Sequence, residues 1–359
     1  MSAQPARSLL EAAALTLPRM PYVPWNFGDS VAFEAMIDAS STLEDRRWSG
    51  FALGFARAWA SEDRPFRQLD CTAPGSAFVR LGTEFDDAAL LGAALRLAEF
   101  LADSPVLAGV YRTWDHSPLL SPYGNGHLPA AEVELLQRKP AGVFLDCLHF
   151  TPPFFAVLGR ALGDDRWTER AVRQALGYIE LLQQPDGLFD HFVLDGVPGS
   201  FGPGWGRGQG WALLGLLDVI AALPAYSDAR DKLAVSACKL ISRMLELQRG
   251  DGHWNAVVDQ PDCEPESSTA AFMVAGFLRA VRLNVTPAAE VEGAARRALA
   301  ATRSCVDGAG RLRGVSAAVY ASTSSDHYRF VPRGFTVPWG QGPLVLALVE
   351  AIRTGLDED

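Results

Sequence analysis

The stretch that decides the fold is "FGPGWGRGQGWALLGLLDVI", Phe201–Ile220, in which six glycines, two tryptophans and one arginine run into an apolar helix. A helix that is apolar on every side is buried on every side. "SSTAAFMVAGFLRAVR" (Ser267–Arg282) has the same character behind a serine cap. Other segments are apolar on one side only. "DDRWTERAVRQALGYIELLQQ" (Asp164–Gln184) sets Trp167, Ala171, Ala175, Tyr178 and Leu182 on one stripe at helical spacing. "DDAALLGAALRLAEFLAD" (Asp86–Asp103) is rich in Ala and Leu and opens with two acids. All-round and one-sided helices alternate, as in two concentric layers. No sustained period-two alternation is visible, so strands are short or absent.

A weak internal repeat gives the number of units. "QQPDGLFDH" (Gln183–His191) is echoed by "LQRGDGHWN" (Leu247–Asn255) and, more faintly, by "CVDGAGRLRG" (Cys305–Gly314). The Asp-Gly pairs at 186, 251 and 307 are 65 and 56 residues apart, and each follows a helix. Asp-Gly is a turn pair, because glycine accepts positive φ. A repeat of this length holds one helical hairpin and a loop. A chain of 359 residues then holds six hairpins. The expectation is an all-α, single-domain (α/α)6 barrel over residues 1–359, with residues 1–20 as an N-terminal helix or arm. An open helical solenoid that binds proteins is the alternative.

Bulk properties remove several functional classes. Hydrophobic residues are 48% of the chain and charged residues 21%, an ordinary globular balance. A net charge of −10 with no Lys/Arg run argues against a nucleic-acid surface. No segment reaches the roughly 18 unbroken apolar residues of a membrane span. The N-terminal twenty residues, interrupted by Glu11, lack the layout of a signal peptide and read as an amphipathic helix. The five cysteines (Cys71, Cys147, Cys238, Cys263, Cys305) form no C-x-x-C pair, so neither a metal site nor a disulfide framework is expected. A cytoplasmic location follows by default.

Glycines before a helix suggest a phosphate cradle, but here G-x-G-x-x-G fails in every register. No strand precedes it and no G-K-[ST] follows. What remains is Trp205-x-Arg207-x-x-x-Trp211. Arg207 and Trp211, four apart, share a face at the start of a helix whose N-terminus adds positive charge. A guanidinium, an indole face and free N–H groups suit a ring carrying a carboxylate, with the glycines leaving room for it. The structural reading is that the glycines let helices approach while the tryptophans fill core.

"AGVFLDCLHFTPPFF" (Ala141–Phe155) buries Asp146 in an apolar run. Such an acid is capped, paired or functional. A helix N-cap is the structural reading, with Thr151 competing for it. An apolar setting favours the protonated carboxyl that a proton donor near neutral pH needs. Asp86 and Asp87 read as first-turn acids, or as a second carboxylate beside Asp146. His191 stands after the first Asp-Gly turn, and a lone histidine is more often structural. His149, His327 and Tyr328 are weaker candidates, and Trp339 is rim or core.

"FLDCLHFTPPFFAVLGRALGDDRW" and "GWGRGQGWALLGLL", with "VPWNFGDSVAFEAMI", "ESSTAAFMVAGFLRA" and "VPWGQGPLVLAL", together resemble the unsaturated uronyl hydrolases, glycoside hydrolase families 88 and 105. The similarity runs from about residue 20 to 355. The resemblance implies an (α/α)6 barrel that needs no cofactor or metal. Its substrate is an anionic oligosaccharide ending in a 4,5-unsaturated uronic acid, made by a polysaccharide lyase. It implies Asp146 as proton donor and then base, and Asp87 as the second aspartate, with Asp86 as fallback. His191, Trp205, Arg207, Gln209, Trp211 and Trp25 become substrate-binding residues. "EFDDAAL" lacks the histidine common before the second aspartate, and "RGQGW" lies between the forms of the two families. Another (α/α)6 glycosidase or epimerase acting on saturated sugars remains the enzymatic alternative. Homo-oligomerisation stays open.

Overall fold

The structure, a computed structural model, describes residues 6–22, 25–62, 66, 69–124 and 126–356. Residues 1–5 of the expected arm and Val23-Pro24 of the motif "VPWNFGDSVAFEAMI" lie outside it. The chain opens with α1 (Ala6–Ala14). Next come α2 (Asp29–Leu43), α3 (Arg47–Ala60), α4 (Gly75–Glu84) and α5 (Ala88–Ala102). A small hairpin, β1 (Val106–Leu107) and β2 (Val110–Tyr111), then α6 (Ala130–Arg138), lead to β3 (Gly142–Phe144). The chain continues through α7 (Cys147–Leu162), α8 (Asp165–Leu182), β4 (Phe192–Leu194), α9 (Gly206–Ala222) and α10 (Asp228–Glu246). It ends with α11 (Ser267–Arg282), α12 (Ala288–Ser304), α13 (Asp326–Arg329) and α14 (Pro338–Thr354).

Helices α2, α4, α7, α9, α11 and α14 pack on one another in that order, and α14 closes on α2. Helices α3, α5, α8, α10 and α12 each lie outside their own inner partner. The patterning explains the layers. α9 is buried from Gly206 to Leu217 without a break, whereas α8 buries the stripe Trp167, Ala171, Ala175, Tyr178 and Leu182. The outer partner of α14 is α1, from the opposite end of the chain. Leu9, Leu10, Ala13 and Ala14 are buried there, and Gln341 Nε2 on α14 donates to the Ala13 carbonyl at 3.0 Å. The expected arm is therefore half of the sixth hairpin, and the ring is sealed by joining the two ends of the chain.

The Asp-Gly repeat has a structural basis. Asp186, Asp251 and Asp307 each accept a hydrogen bond from the N–H two residues on, at 3.1, 3.0 and 2.9 Å. These Asx turns lead the chain from an outer helix back toward the next inner one. Gly187 has φ 98°, and a Cβ there would meet the Lys239 carbonyl oxygen at 2.6 Å, so a side chain is excluded twice over. In the third turn the positive φ falls on Gly310 rather than Gly308.

The glycines of α9 serve packing. A Cβ on Gly206 would stand 2.8 Å from Thr269 Oγ1, and one on Gly210 would fall on the Phe272 ring, both on α11. They set how closely α9 and α11 approach, and do not open space for a sugar ring.

The buried carboxyl of Asp29 opens α2 and accepts from the Asn26 N–H at 2.9 Å. Burial pushes its pKa up to about 7 against that hydrogen bond. A carboxyl raised on folding stabilises fully below its unfolded value near 3.9, and the contribution is lost as pH rises through 7. Asp29→Asn should flatten this slope and raise stability at pH 8 by about 2 kcal/mol, roughly half the full displacement because an amide must be buried instead. Urea midpoints at pH 5 and pH 8 check it: wild type should lose stability between them and the variant should not.

Candidate active site

The site lies at the end of the ring where the inner helices begin. β3 and β4 set its first two members. They pair antiparallel with Phe144 opposite Phe192, and the Leu145 N–H donates to the His191 carbonyl at 2.8 Å. Asp146, next along from β3, is thereby brought beside His191, just before β4. Asp146 occupies the N-cap position of α7, but its side chain makes no capping bond. Thr151 lies inside that helix, which runs on through Pro152 and Pro153. The carboxyl of Asp146 instead faces His191, with Oδ2 3.2 Å from Nε2. His191 Nδ1 is 2.7 Å from the Tyr328 hydroxyl. Both Asp146 and His191 are more than nine-tenths buried. Burial, reinforced by the Asp146 charge, pushes the Tyr328 phenol well above its ordinary range, so it stays neutral.

These groups open on a cavity of about 300 Å³ whose walls include Trp25, Trp114, Phe144, Trp205, Arg207 and Tyr320. The Trp205 ring lies 4.3 Å from that of His191. Gly202, at φ 70°, lets the chain pass against Tyr328 and His191, where a Cβ would lie 2.7 Å from the His191 Cβ. Asp146 is the one carboxylic acid among the described residues of this wall.

Arg207 is 1% exposed. Its Nη1 donates to Ser316 Oγ at 2.6 Å, and its Nη2 to the Ala317 carbonyl at 2.9 Å. Glu266, the N-cap of α11, lies 3.6 Å from Nη1 and accepts from the Thr269 and Ser316 N–H groups at 3.0 and 2.9 Å. Burial pushes the guanidinium pKa down, and Glu266 and Asp146 oppose it. The arginine thus brings charge to the cavity floor, with its terminal nitrogens holding the 316–317 loop in place. Trp339 lies beneath that loop, its Nε1 donating to the Ser316 carbonyl at 3.0 Å.

Three expected site residues fall elsewhere. Asp87 follows the C-terminus of α4, at the opposite end of the ring from the starts of the inner helices. It caps α5, accepting from the Leu90 N–H at 3.0 Å, and pairs with Arg57 at 2.7 Å. Its hydrogen bond from Arg57 holds the carboxyl below the usual range, the behaviour of a first-turn acid. Asp86 beside it is exposed. Neither is the second carboxylate at Asp146. Gln209 clasps Phe189, accepting from its N–H at 2.8 Å and donating to its carbonyl at 2.8 Å. It steadies the segment bearing His191 without reaching the cavity. Trp211 is fully buried among Phe150, Phe272 and His149, and is core. Trp25, Trp205, Arg207, His191 and Asp146 do meet at the cavity. Trp114 and Tyr320 were not legible in the sequence, because they sit in loops with no periodic signal.

Fold and site together define a helical toroid with a buried acid, Asp146, at the mouth of its cavity. The chain belongs to Glycosyl Hydrolase Family 88, whose model matches residues 13–355. It is 22% identical over 336 residues to the unsaturated rhamnogalacturonyl hydrolase YesR of Bacillus subtilis, covering 92% of this chain and 90% of that one. Among solved structures, a possible member of the GH105 family from Klebsiella pneumoniae superposes with a TM-score of 0.82 at 19% identity, covering 98% of this chain and 93% of that one. An unsaturated glucuronyl hydrolase from Bacillus sp. GL1 superposes with a TM-score of 0.70 at 18% identity, over 99% and 97% of the two chains. Among the described residues, no helix is long and apolar enough to cross a membrane.

Proposed function

We propose that this protein removes a 4,5-unsaturated uronic acid from the non-reducing end of oligosaccharides produced by polysaccharide lyases, by hydrating the enol ether. The observation that carries this reading is the carboxyl of Asp146, buried in the cavity wall with Oδ2 3.2 Å from His191 Nε2. A glycosidase acting at the anomeric carbon needs two carboxyl groups facing each other across the bond. Hydration needs one group that acts twice. Asp146 donates its proton to C4, and the positive charge that develops at C5 is shared with the ring oxygen. As a carboxylate, Asp146 then takes a proton from water while the water oxygen bonds to C5. The hemiketal opens to a ketone at C5, and the hemiacetal left at C1 expels the second sugar. This chemistry calls for no metal or organic cofactor.

His191 is placed to position this proton. With Nδ1–H donating to Tyr328, Nε2 accepts from the protonated Asp146; in the other tautomer Nε2–H donates to the carboxylate. Trp205 and Trp25 offer ring faces to the sugar. Positive potential comes from Arg207 and from the starts of α7 and α9. The protein is read as cytoplasmic, acting on small fragments.

Incubation with lyase-generated rhamnogalacturonan, glycosaminoglycan and ulvan fragments tests the proposal. At least one should lose the ultraviolet absorbance of its conjugated double bond. Turnover of saturated glycosides with all three left intact would refute it. Tyr328→Phe should lower kcat about tenfold, less than the roughly 10²–10⁴-fold of a group that itself transfers the proton, because Tyr328 acts through His191, while KM stays within twofold. A change confined to KM would place Tyr328 in binding rather than proton positioning.

A further inference from the structure

At the centre of the ring, below the active-site cavity, three ligand-type side chains converge from three inner helices. Glu34 of α2, His149 of α7 and Asp218 of α9 each offer an atom, and the three atoms lie within 4.8 Å of one another. His149 Nε2 is 3.3 Å from Glu34 Oε2 and 3.9 Å from Asp218 Oδ2. His149 is fully buried, and its Nε2 has no hydrogen-bond partner. An orphaned buried nitrogen of this kind needs an explanation. Glu34 is 4% exposed, and among the described residues no arginine comes within ion-pair distance of it. The other buried acids nearby are provided for: Asp38 by Arg80 and Arg353, Glu350 by Arg282 and Arg279.

We propose that Glu34, His149 and Asp218 form a binding site for one divalent transition-metal ion, with Zn²⁺ as the representative. One nitrogen and two carboxylate oxygens, with a fourth position for water, make a normal zinc donor set. Ligands about 2.0–2.1 Å from a tetrahedral ion stand about 3.3 Å apart, which is the His149–Glu34 separation; Asp218 closes by a small shift. The outer partners fit as well. His149 Nδ1 meets Ser30 Oγ at 3.3 Å, which fixes the ring and leaves Nε2 for the metal. Asp218 turns its other oxygen, Oδ1, to Arg279. An entry path exists, because Glu34 and Asp218 both line a second cavity of about 760 Å³ that opens at the far end of the ring. The ion would tie α2 to α7 across α4. It would also buttress the floor of the catalytic cavity, since His149 packs on Trp211, with ring centroids 5.1 Å apart, and Trp211 on Phe27.

Untagged protein, stripped with chelator and freed of it, is titrated with ZnCl₂ in a calorimeter and analysed for bound zinc after gel filtration. One zinc per chain is expected, with a thermal midpoint raised by several degrees at saturation. Glu34→Gln and His149→Gln should each weaken binding at least tenfold while the far-ultraviolet circular dichroism stays native. If His149→Gln does not fold, Glu34→Gln carries the comparison alone. Absence of stoichiometric zinc in the stripped and refilled wild type overturns the proposal, as does unchanged binding in a folded Glu34→Gln.

Discussion

Asp146→Asn is expected to lose at least 10²-fold, and up to about 10⁴-fold, in kcat on an unsaturated substrate, while its unfolding midpoint stays near that of wild type. The amide keeps the shape and can still hydrogen-bond to His191, but it has no proton to give to C4 and cannot take one from water. Both chemical steps fail at the same atom, and among the described residues of the cavity wall no other carboxylic acid stands in for it. Stability should hold because the Asp146 side chain does not cap α7 and, among the described residues, its ion-pair partner is His191 alone. Steady-state turnover followed by the fading double bond, beside a urea titration, checks both halves. Near-normal turnover would remove Asp146 from the chemistry.

Replacing Arg207 by alanine should cost about 3–5 kcal/mol of stability, the range for breaking a buried ion pair by deleting one partner. The sequence suggests a different outcome, a rise in KM for anionic substrates, because Arg207 reads as the local cation of an acidic protein. The structure places the guanidinium beneath the 316–317 loop, with Glu266 left buried opposite if it goes. Glu266 would keep its hydrogen bonds from Thr269 and Ser316 but lose its counter-charge. Urea denaturation of Arg207→Ala and of the double variant Arg207→Ala/Glu266→Gln separates the two accounts. The double variant should recover part of the loss. A single variant as stable as wild type, with only KM changed, would restore the substrate-contact role.

The sequence by itself determined the layering. Helices apolar all round have only the inside of a ring to occupy, and a one-sided stripe such as Trp167–Leu182 has only one way to face. Those are local periodicities, readable without knowing the neighbours. The Asp-Gly turns were legible for the same reason, since a turn pair acts within four residues. Asp146 and His191 stood out because a polar group in an apolar run needs a partner. That each is the other's partner was decided by the pairing of β3 with β4, two strands of three residues that carry no periodic signal. The fates of Asp87, Trp211 and Gln209 were likewise decided by tertiary structure. A helix-opening acid looks the same at either end of a ring, and a tryptophan beside an arginine looks the same in a wall or in a core. The convergence of Glu34, His149 and Asp218 lies wholly in tertiary structure. Three helices far apart in the chain point one side chain each at a common centre, and only closure of the ring brings them within reach of a single ion.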